Sequence, residues 1–401
     1  TFGIDGVLKV YQSDKHNTYQ LEDDEQLYLF MGLRRGGEAL YVLNITDRNN
    51  PKVAWRISTV HQQFADIGQS WTSPEIVKIP WTNNTEKEVV IIGGGLDERY
   101  QNNENPTNTK GSQLYVIDLE TGDVITTVNS RDIPSLSQSV INKSISIDAD
   151  MNGTIDATFF NDVRGNIYRC DIKQRNKNAK PTFTCGVQAQ AQGNNENLFF
   201  FNAMDAALTN SPATGQLMVS LTITSGNRFM PTERQEQNRL ATFFVPLSQL
   251  MSTAESNIDT IRFRDIKSTK DVTATADEQG WYFEFPARGE KSFSQTLIID
   301  DIIHFSTYEP IIDENATNNC QTAGVGTAKL YSLQLKSGQK LKSAASELRW
   351  TGIAKGLPET PYAVINAKSL DSNYTVNLGI DNTDVDAKIS PLSRDYWFEP
   401  E

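Results

Sequence analysis

Residues Ile147 to Asp156 read IDADMNGTID, and their spacing is the part of this chain best suited to chemistry. Asp148, Asp150, Asn152 and Asp156 place oxygen side chains at alternating or near-alternating positions around Gly153. A short loop of this kind can wrap one hard cation, and Ca²⁺ takes several oxygens in irregular geometry. Gly153 supplies the sharp turn, and the Thr154 carbonyl is placed to add a ligand. The pattern follows the first nine positions of an EF-hand and then departs, because position twelve is Phe159 and not a bidentate Glu. The flanks are those of strands. Ser144 to Ile147 alternates, and Ala157 to Phe160 is β-branched and aromatic. The expectation is a Ca²⁺ loop between two strands, with Asp148, Asp150, Asn152, Thr154 and Asp156 as ligands. The bland alternative is an Asx-rich turn without metal. Against it, three carboxylates packed this closely repel one another unless a cation is present.

The elements that must position this loop are strands. Long helical periodicity is absent; Pro246 to Glu255 and Asn202 to Leu208 are the best short helical candidates. An alternating strand with an aromatic recurs in EALYVLNITDRNNPKVAWR, SQLYVIDLETGDVITTV, NIYRCDI, LATFFVPLS and AKLYSLQLKSGQKL. Several copies are followed by a polar turn and another strand. Others follow a strand of their own, as KEVVIIGGG precedes SQLYVID. Repeated antiparallel groups of this kind indicate a β-propeller, whose blades bury their faces against neighbours. The uneven spacing requires long insertions, at Tyr100 to Gly111, Gln188 to Asn197 and Pro310 to Gly326. A pair of β-sandwiches would also alternate, but it does not explain the repeated strand-turn-strand unit.

Composition narrows the function classes. The chain has 401 residues, 38% apolar, 9% aromatic and 22% charged, which suits a globular protein. A net charge of −13 offers no phosphate-neutralising surface, which argues against nucleic-acid binding. No apolar run reaches the roughly eighteen residues of a membrane-spanning helix. Thr1 opens in mid-pattern, with no signal peptide, so the chain reads as a C-terminal fragment of a longer protein. Of three cysteines, Cys170 and Cys185 flank a Lys- and Asn-rich segment and could close a hairpin-like loop. Two free thiols are the alternative; an oxidising compartment favours the bridge. Cys320 has no evident partner, and no Cys/His cluster suggests zinc.

The remaining motifs have structural readings. Gly93-Gly94-Gly95 follows the strand Val89 to Ile92, but neither a helix nor a Lys-Ser/Thr pair follows, so the glycines mark close packing at a strand end. Arg34-Arg35-Gly36-Gly37 fits an anion nest or a buried Arg paired with an acid. Trp71 is expected to pack between blades. His61 and His304 are isolated, and no nucleophile elbow, HExxH or Ser/His/Asp order appears. With the acidic loop assigned to Ca²⁺, no catalytic constellation remains, and a non-enzymatic protein is expected.

In this order, several segments resemble the PilC/PilY family of type IV pilus biogenesis factors and adhesins. They are GLRRGGEALYVLNITDRNNPKVAWRI, IGQSWTSPEIVKI, VVIIGGGLDE, GSQLYVIDLETGDV, SISIDADMNGTIDATFFNDVRGNIYRCDI, GWYFEFPARGEKSFSQTLIIDDIIHFSTYEP with the following Cys320, and KGLPETP. The resemblance implies an all-β fold over residues 1–401: a single seven-bladed, modified β-propeller of the quinoprotein-dehydrogenase-like type with long loop insertions. It implies export through the periplasm to the outer membrane surface and pilus tip. It further implies a Ca²⁺ loop that tunes pilus extension against retraction, with effects on twitching motility and surface attachment. Implied partners are minor pilins and the pilus machinery, with a host-cell receptor or extracellular matrix as a further class. Carried over by position, the family's calcium ligands fall on Asp148, Asp150, Asn152, the Thr154 carbonyl and Asp156. Asn152 stands where many relatives have Asp, which lowers the charge of the site. The opening DGVLKVYQ matches only loosely, and the variable N-terminal region of the family is absent.

Two other functions compete. Quinone-dependent dehydrogenases share propellers with turns like Leu114 to Gly122, but this chain has no adjacent cysteines. Integrin-like propellers carry similar acidic loops in several blades, whereas here one loop is complete.

Overall fold

The computed structural model describes residues 3–13, 18, 20–193, 198–211, 214–252, 258–261, 263–265, 279–311, 326–341, 350–365, 373–377 and 382–388. Cys320, most of the 310–326 insertion and part of the 188–197 insertion lie outside the described residues. The sequence reading expects one domain over 1–401. By contacts between its Cα atoms, the chain divides into two compact units, Thr1–Gln190 with Leu250–Thr260, and Ala191–Gln249 with Ile261–Glu401.

The first unit holds three four-stranded antiparallel sheets, each built from consecutive strands. The first contains β1 (Leu8–Gln12), β2 (Leu27–Gly32), β3 (Ala39–Asn44) and β4 (Lys52–Ser58). The second contains β5 (Glu75–Trp81), β6 (Thr85–Gly93), β7 (Leu114–Asp118) and β8 (Val124–Val128). The third contains β9 (Ile145–Ile147), β10 (Ala157–Asn161), β11 (Asn166–Lys173) and β12 (Thr182–Gln190). Alternation decides which side chains enter the core. In β2, Tyr28 and Phe30 are buried while Leu27, Leu29 and Met31 are only partly so. Tyr28, Phe30, Leu40, Val42 and Trp55 of the first sheet pack with Val90, Ile92, Tyr115 and Ile117 of the second. The opposite face of the second sheet, with Val89, Ile91, Leu114 and Val116, packs with Phe160, Tyr168, Cys170 and Ile172 of the third. Central strands buried on both faces therefore read as the unbroken apolar runs seen at Val89 to Ile92.

The second unit contains three more sheets. The five-stranded one has β13 (Asp205–Asn210), β14 (Leu217–Thr224), β15 (Arg239–Pro246), β16 (Arg264–Asp265) and β17 (Gly280–Glu284); β15 runs into a single turn of helix, α1 (Leu247–Leu250), whose last residue, Leu250, is counted with the first unit. A four-stranded sheet follows, with β18 (Leu297–Ile299), β19 (Ile302–Glu309), β20 (Thr327–Gln334) and β21 (Trp350–Lys355). Then comes a three-stranded sheet of β22 (Tyr362–Ile365), β23 (Asn373–Asn377) and β24 (Asn382–Lys388). The described residues form six separate sheets of three to five strands, where a pair of sandwiches would form four. The described residues do not complete the count of seven blades that the resemblance implies.

The repeat visible in the sequence has a structural counterpart in each unit. Gly122 in the turn after β7 and Gly338 in the turn after β20 have φ of 75° and 65°, a region that suits glycine. Each turn is closed by the glycine N–H, donated to the carbonyl of Asp118 or Gln334. A tryptophan of the preceding sheet docks at each turn: Trp55 Nε1 donates to the Leu119 carbonyl at 2.8 Å, and Trp281 Nε1 to that of Leu335 at 2.9 Å. Both indoles are thus buried with their polar atom satisfied. A Cβ on Gly122 would lie 2.6 Å from Trp55 Cγ, so this turn leaves no room for a side chain.

Two local expectations change. Asn202 to Leu208 is not helical; Asp205 to Asn210 form β13, paired in register with Leu217 to Thr222 of β14. Cross-strand pairing here overrides the helix propensity of Ala206, Ala207 and Leu208. Of Pro246 to Glu255, Leu247–Leu250 form one helical turn, and residues 253–255 lie outside the described residues.

Cys170 on β11 and Cys185 on β12 are direct register partners, with sulfurs 2.01 Å apart. Cys170 is fully buried in the core between the second and third sheets. A bridge over a sequence separation of 15 residues restricts the unfolded chain, which is worth about 3 kcal/mol in the loop-entropy account. The Cys170→Ser/Cys185→Ser double variant should lose about that much stability in urea unfolding, relative to the oxidised protein. A non-reduced digest should yield the linked peptide; two free thiols there would overturn the bridge.

Candidate metal centre

The acidic segment connects β9 to β10 as a hairpin loop. Its ends are set by pairing of Ala157 with Ile147 and by donation from the Asp156 N–H to the Ile147 carbonyl at 2.8 Å. The loop is also tied to neighbours on both sides. Ile155 N–H donates to the Lys78 carbonyl on β5 at 2.9 Å, and the Ile172 N–H on β11 donates to the Asp156 carbonyl at 2.7 Å. Within it, Met151 at φ 59° and Gly153 at φ 92° turn the backbone back on itself. The exposed Met151 side chain stands at the tip.

The structure brings Asp148, Asp150 and Asp156 together: one carboxylate oxygen from each lies within 4.8 Å of the others. Metal–oxygen distances for Ca²⁺ are about 2.4 Å, so opposite ligands across one ion stand about 4.8 Å apart, and the cluster fits that span. All donors are hard oxygens. The carboxylates are braced by backbone N–H groups. Asp148 accepts from Gly153 at 2.7 Å and from Asn152 at 3.1 Å, and Asp156 Oδ2 accepts from Ala149 at 2.8 Å. Burial pushes the Asp156 carboxyl above the ordinary range. The Ala149 N–H and the nearby Lys173 ammonium oppose that shift, and the charge of Asp150 adds to it.

Asn152 and Thr154 are bonded to each other within the loop. Asn152 Oδ1 accepts from the Thr154 N–H at 2.8 Å and from Thr154 Oγ1 at 2.6 Å. Both lone pairs of this amide oxygen therefore stabilise the turn. Thr154 is buried. Asn152 shapes the loop here, and the three aspartates supply the charge.

Two residues important to the loop carry no local signal in the sequence. Glu75, buried on β5, accepts from Ser144 Oγ at 2.6 Å, Ser146 Oγ at 2.8 Å and the Ser146 N–H at 3.0 Å. It thereby holds β9 from 71 residues away. Lys173, at the end of β11, has its Nζ 3.8 Å from Asp156 Oδ1.

The other motifs settle into the scaffold. Arg34 to Gly36 form a single 3-10 turn, with Arg34 at φ 51°. Trp71 lies under the Arg34 guanidinium, 4.0 Å from the ring centroid, where Ser70 Oγ accepts the Leu33 and Arg34 N–H groups and draws that turn over it. Gly93 and Gly94 sit where a Cβ would come within 2.7 Å of Val140 or Gly111, which accounts for the triple glycine by packing. His304 is buried and bonded to Ser332 Oγ at 2.9 Å, and burial lowers its pKa to about 4.

Successive sheets of mainly antiparallel strands, with an acidic hairpin loop in the third, are those of an all-β, propeller-type protein, and known proteins place it further. The PilY1 beta-propeller domain model matches residues 1–217, more than half of the chain, and the protein belongs to this family. Type IV pilus biogenesis factors PilY1 from two strains of Pseudomonas aeruginosa are each 27% identical over 144 residues. That alignment covers 36% of this chain and 11% of either relative, so the chain spans about a tenth of their length. The crystal structure of the Pseudomonas aeruginosa PilY1 C-terminal domain superposes with a TM-score of 0.64 at 16% identity, over 94% of this chain and 83% of that one. The fold is accordingly an all-β propeller related to that domain.

Proposed function

We propose that this chain is a calcium-binding module of a type IV pilus biogenesis and adhesion factor, acting as a binding and regulatory element without catalysis. The observation that carries the reading is the convergence of Asp148, Asp150 and Asp156 within one hairpin loop of a PilY1-type propeller. The three aspartates would hold Ca²⁺, and the Thr154 carbonyl and Asn152, the latter on releasing the Thr154 hydroxyl, would complete the set expected from spacing. Ca²⁺ suits the site better than Mg²⁺, which demands near-ideal octahedral geometry and keeps much of its water. An affinity between about micromolar and sub-millimolar follows from a three-carboxylate loop that lacks the bidentate Glu of an EF-hand. When bound, the ion neutralises the carboxylates and pins β9 and β10 to each other. The loop is also tied to β5 through Ile155 and to β11 through Ile172, so the state of the loop bears on two neighbouring strands.

The site of action in this reading is the pilus at the cell surface, reached through the periplasm, and the partners are minor pilins and the pilus machinery. A host receptor or extracellular matrix is a further class of partner. Ca²⁺ occupancy would shift the balance of pilus extension and retraction, and with it twitching and attachment. A strain carrying Asp156→Ala in the full-length protein should export normal amounts of it and show altered surface piliation and twitching. Unchanged piliation and motility, with calcium binding shown to be lost, would leave the loop a structural clasp and overturn its regulatory role.

A further inference from the structure

The carboxylate loop is accompanied by a positive charge that the protein itself holds in place. Lys173 Nζ donates a hydrogen bond to the carbonyl of Leu250, at the end of α1. Leu250 is fully buried, so this carbonyl is a fixed anchor. The same ammonium stands 3.8 Å from Asp156 Oδ1, outside hydrogen-bond range but within strong Coulomb reach, and both side chains are more than four-fifths buried. Its position is therefore set by the backbone of another segment and not by the carboxylate that it faces.

Other charges near the loop stand beside opposite ones, Glu75 with Lys143 among them. Lys78 and Glu86 on the β5–β6 hairpin face each other at 4.0 Å, with Glu86 Oε1 beside Gly153. Asp171, two residues before Lys173, is buried and paired with Arg169 at 2.9 Å. The cluster itself brings three negative charges from Asp148, Asp150 and Asp156, and Lys173 sets one positive charge against them. A divalent ion brings that sum to zero, a monovalent ion leaves it negative, and a trivalent ion makes it positive.

Resting on the calcium reading above, we propose that Lys173 sets the affinity and the charge selectivity of this loop. The ammonium is a resident cation that weakens Ca²⁺ binding, keeps the site in the range where occupancy follows the surrounding concentration, and disfavours trivalent ions more strongly than divalent ones. Its bond to the Leu250 carbonyl keeps this charge beside the loop.

The test is calorimetric titration of the chelator-treated chain with Ca²⁺ and, separately, Tb³⁺ at low ionic strength, for wild type, Lys173→Gln, Lys173→Met and Lys173→Arg. Gln retains a donor for the Leu250 carbonyl without the charge. A unit charge about 6 Å from a divalent ion changes affinity roughly ten-fold at the dielectric response of water, and by more where side chains are buried. Lys173→Gln and Lys173→Met should therefore bind Ca²⁺ at least roughly ten-fold tighter and Tb³⁺ at least about thirty-fold tighter. Lys173→Arg should stay near wild type, and the difference between wild type and Gln should shrink as salt is added. A thermal melt of each variant verifies that it is folded. Equal Ca²⁺ affinity in wild type and in folded Lys173→Gln, with Asp148→Ala unable to bind, would reduce Lys173 to a clip on Leu250 and leave the calcium reading standing. Weaker binding by the Gln variant would overturn the proposal likewise. Wild-type protein that binds no Ca²⁺ would overturn both.

Discussion

Replacement of Asp148 by Ala is expected to abolish calcium binding while leaving the fold intact. Asp148 has two jobs: it is one of the three converging carboxylates, and it accepts the N–H groups of Asn152 and Gly153 that bend the loop. The variant loses a charged ligand and the brace that orients the others, and its affinity should fall on the order of a hundred-fold or more. Of the loop residues only Ile155 enters the apolar core, and Asp148 takes no part in it, so the metal-free variant should lose only about 1–2 kcal/mol, the scale of the hydrogen bonds removed. Isothermal titration measures the first effect. A thermal shift provides an independent reading, because Ca²⁺ at one hundred times its Kd stabilises the native state by about 2.7 kcal/mol. Wild type should show that shift and Asp148→Ala should not. A variant that binds like wild type would mean that the three aspartates do not form the cation site.

The second large effect is expected far from the loop, in the second unit. Glu290 is fully buried and accepts from Thr307 Oγ1 at 2.6 Å, Tyr331 Oη at 2.7 Å and Lys329 Nζ at 2.9 Å. Lys329 is shared with Glu309, whose side chain is about one-third exposed, and stands over the Trp350 ring. Around this network Phe305 and Tyr331 stack at 4.8 Å and Phe285 packs on both. Glu290→Ala would leave two hydroxyls without their acceptor and a buried ammonium with one partial partner. A loss of about 3–5 kcal/mol is the usual scale for breaking such a group from one side. Glu290→Gln keeps the volume and one acceptor oxygen and should cost less. Native-state hydrogen exchange reads the effect element by element: protection should fall across β19 and β20 while β6 and β7 remain as in wild type. A loss below about 1 kcal/mol for Glu290→Ala would show that the network is dispensable.

The features legible from the sequence share a short range. Residues 148 to 156 lie within one hairpin loop, so the spacing of oxygen side chains around Gly153 constrains what they can do before any tertiary contact forms. The same holds for the alternating strands and for the turns at Gly122 and Gly338, where a positive φ makes the choice of residue local. The all-β class and the division into repeated strand groups followed from those signals. Pairing in space decided the rest. Asn202 to Leu208 carry helix-compatible residues, yet β14 recruits 205–210 as a strand, because register with Leu217 to Thr222 outweighs a fraction of a kcal/mol of propensity per residue. Trp55 and Trp281 read as ordinary aromatic positions until the turn that each caps, 64 and 54 residues away, is brought beside it. The acidic loop shows the same division. Its aspartates announce themselves, but Glu75, which holds the entering strand, and Lys173, which offsets the charge, are placed by contacts with Ser146 and Leu250 at separations of 71 and 77 residues. A charge acts through distance in space, and only the packing of one sheet on the next determines which charges share a site.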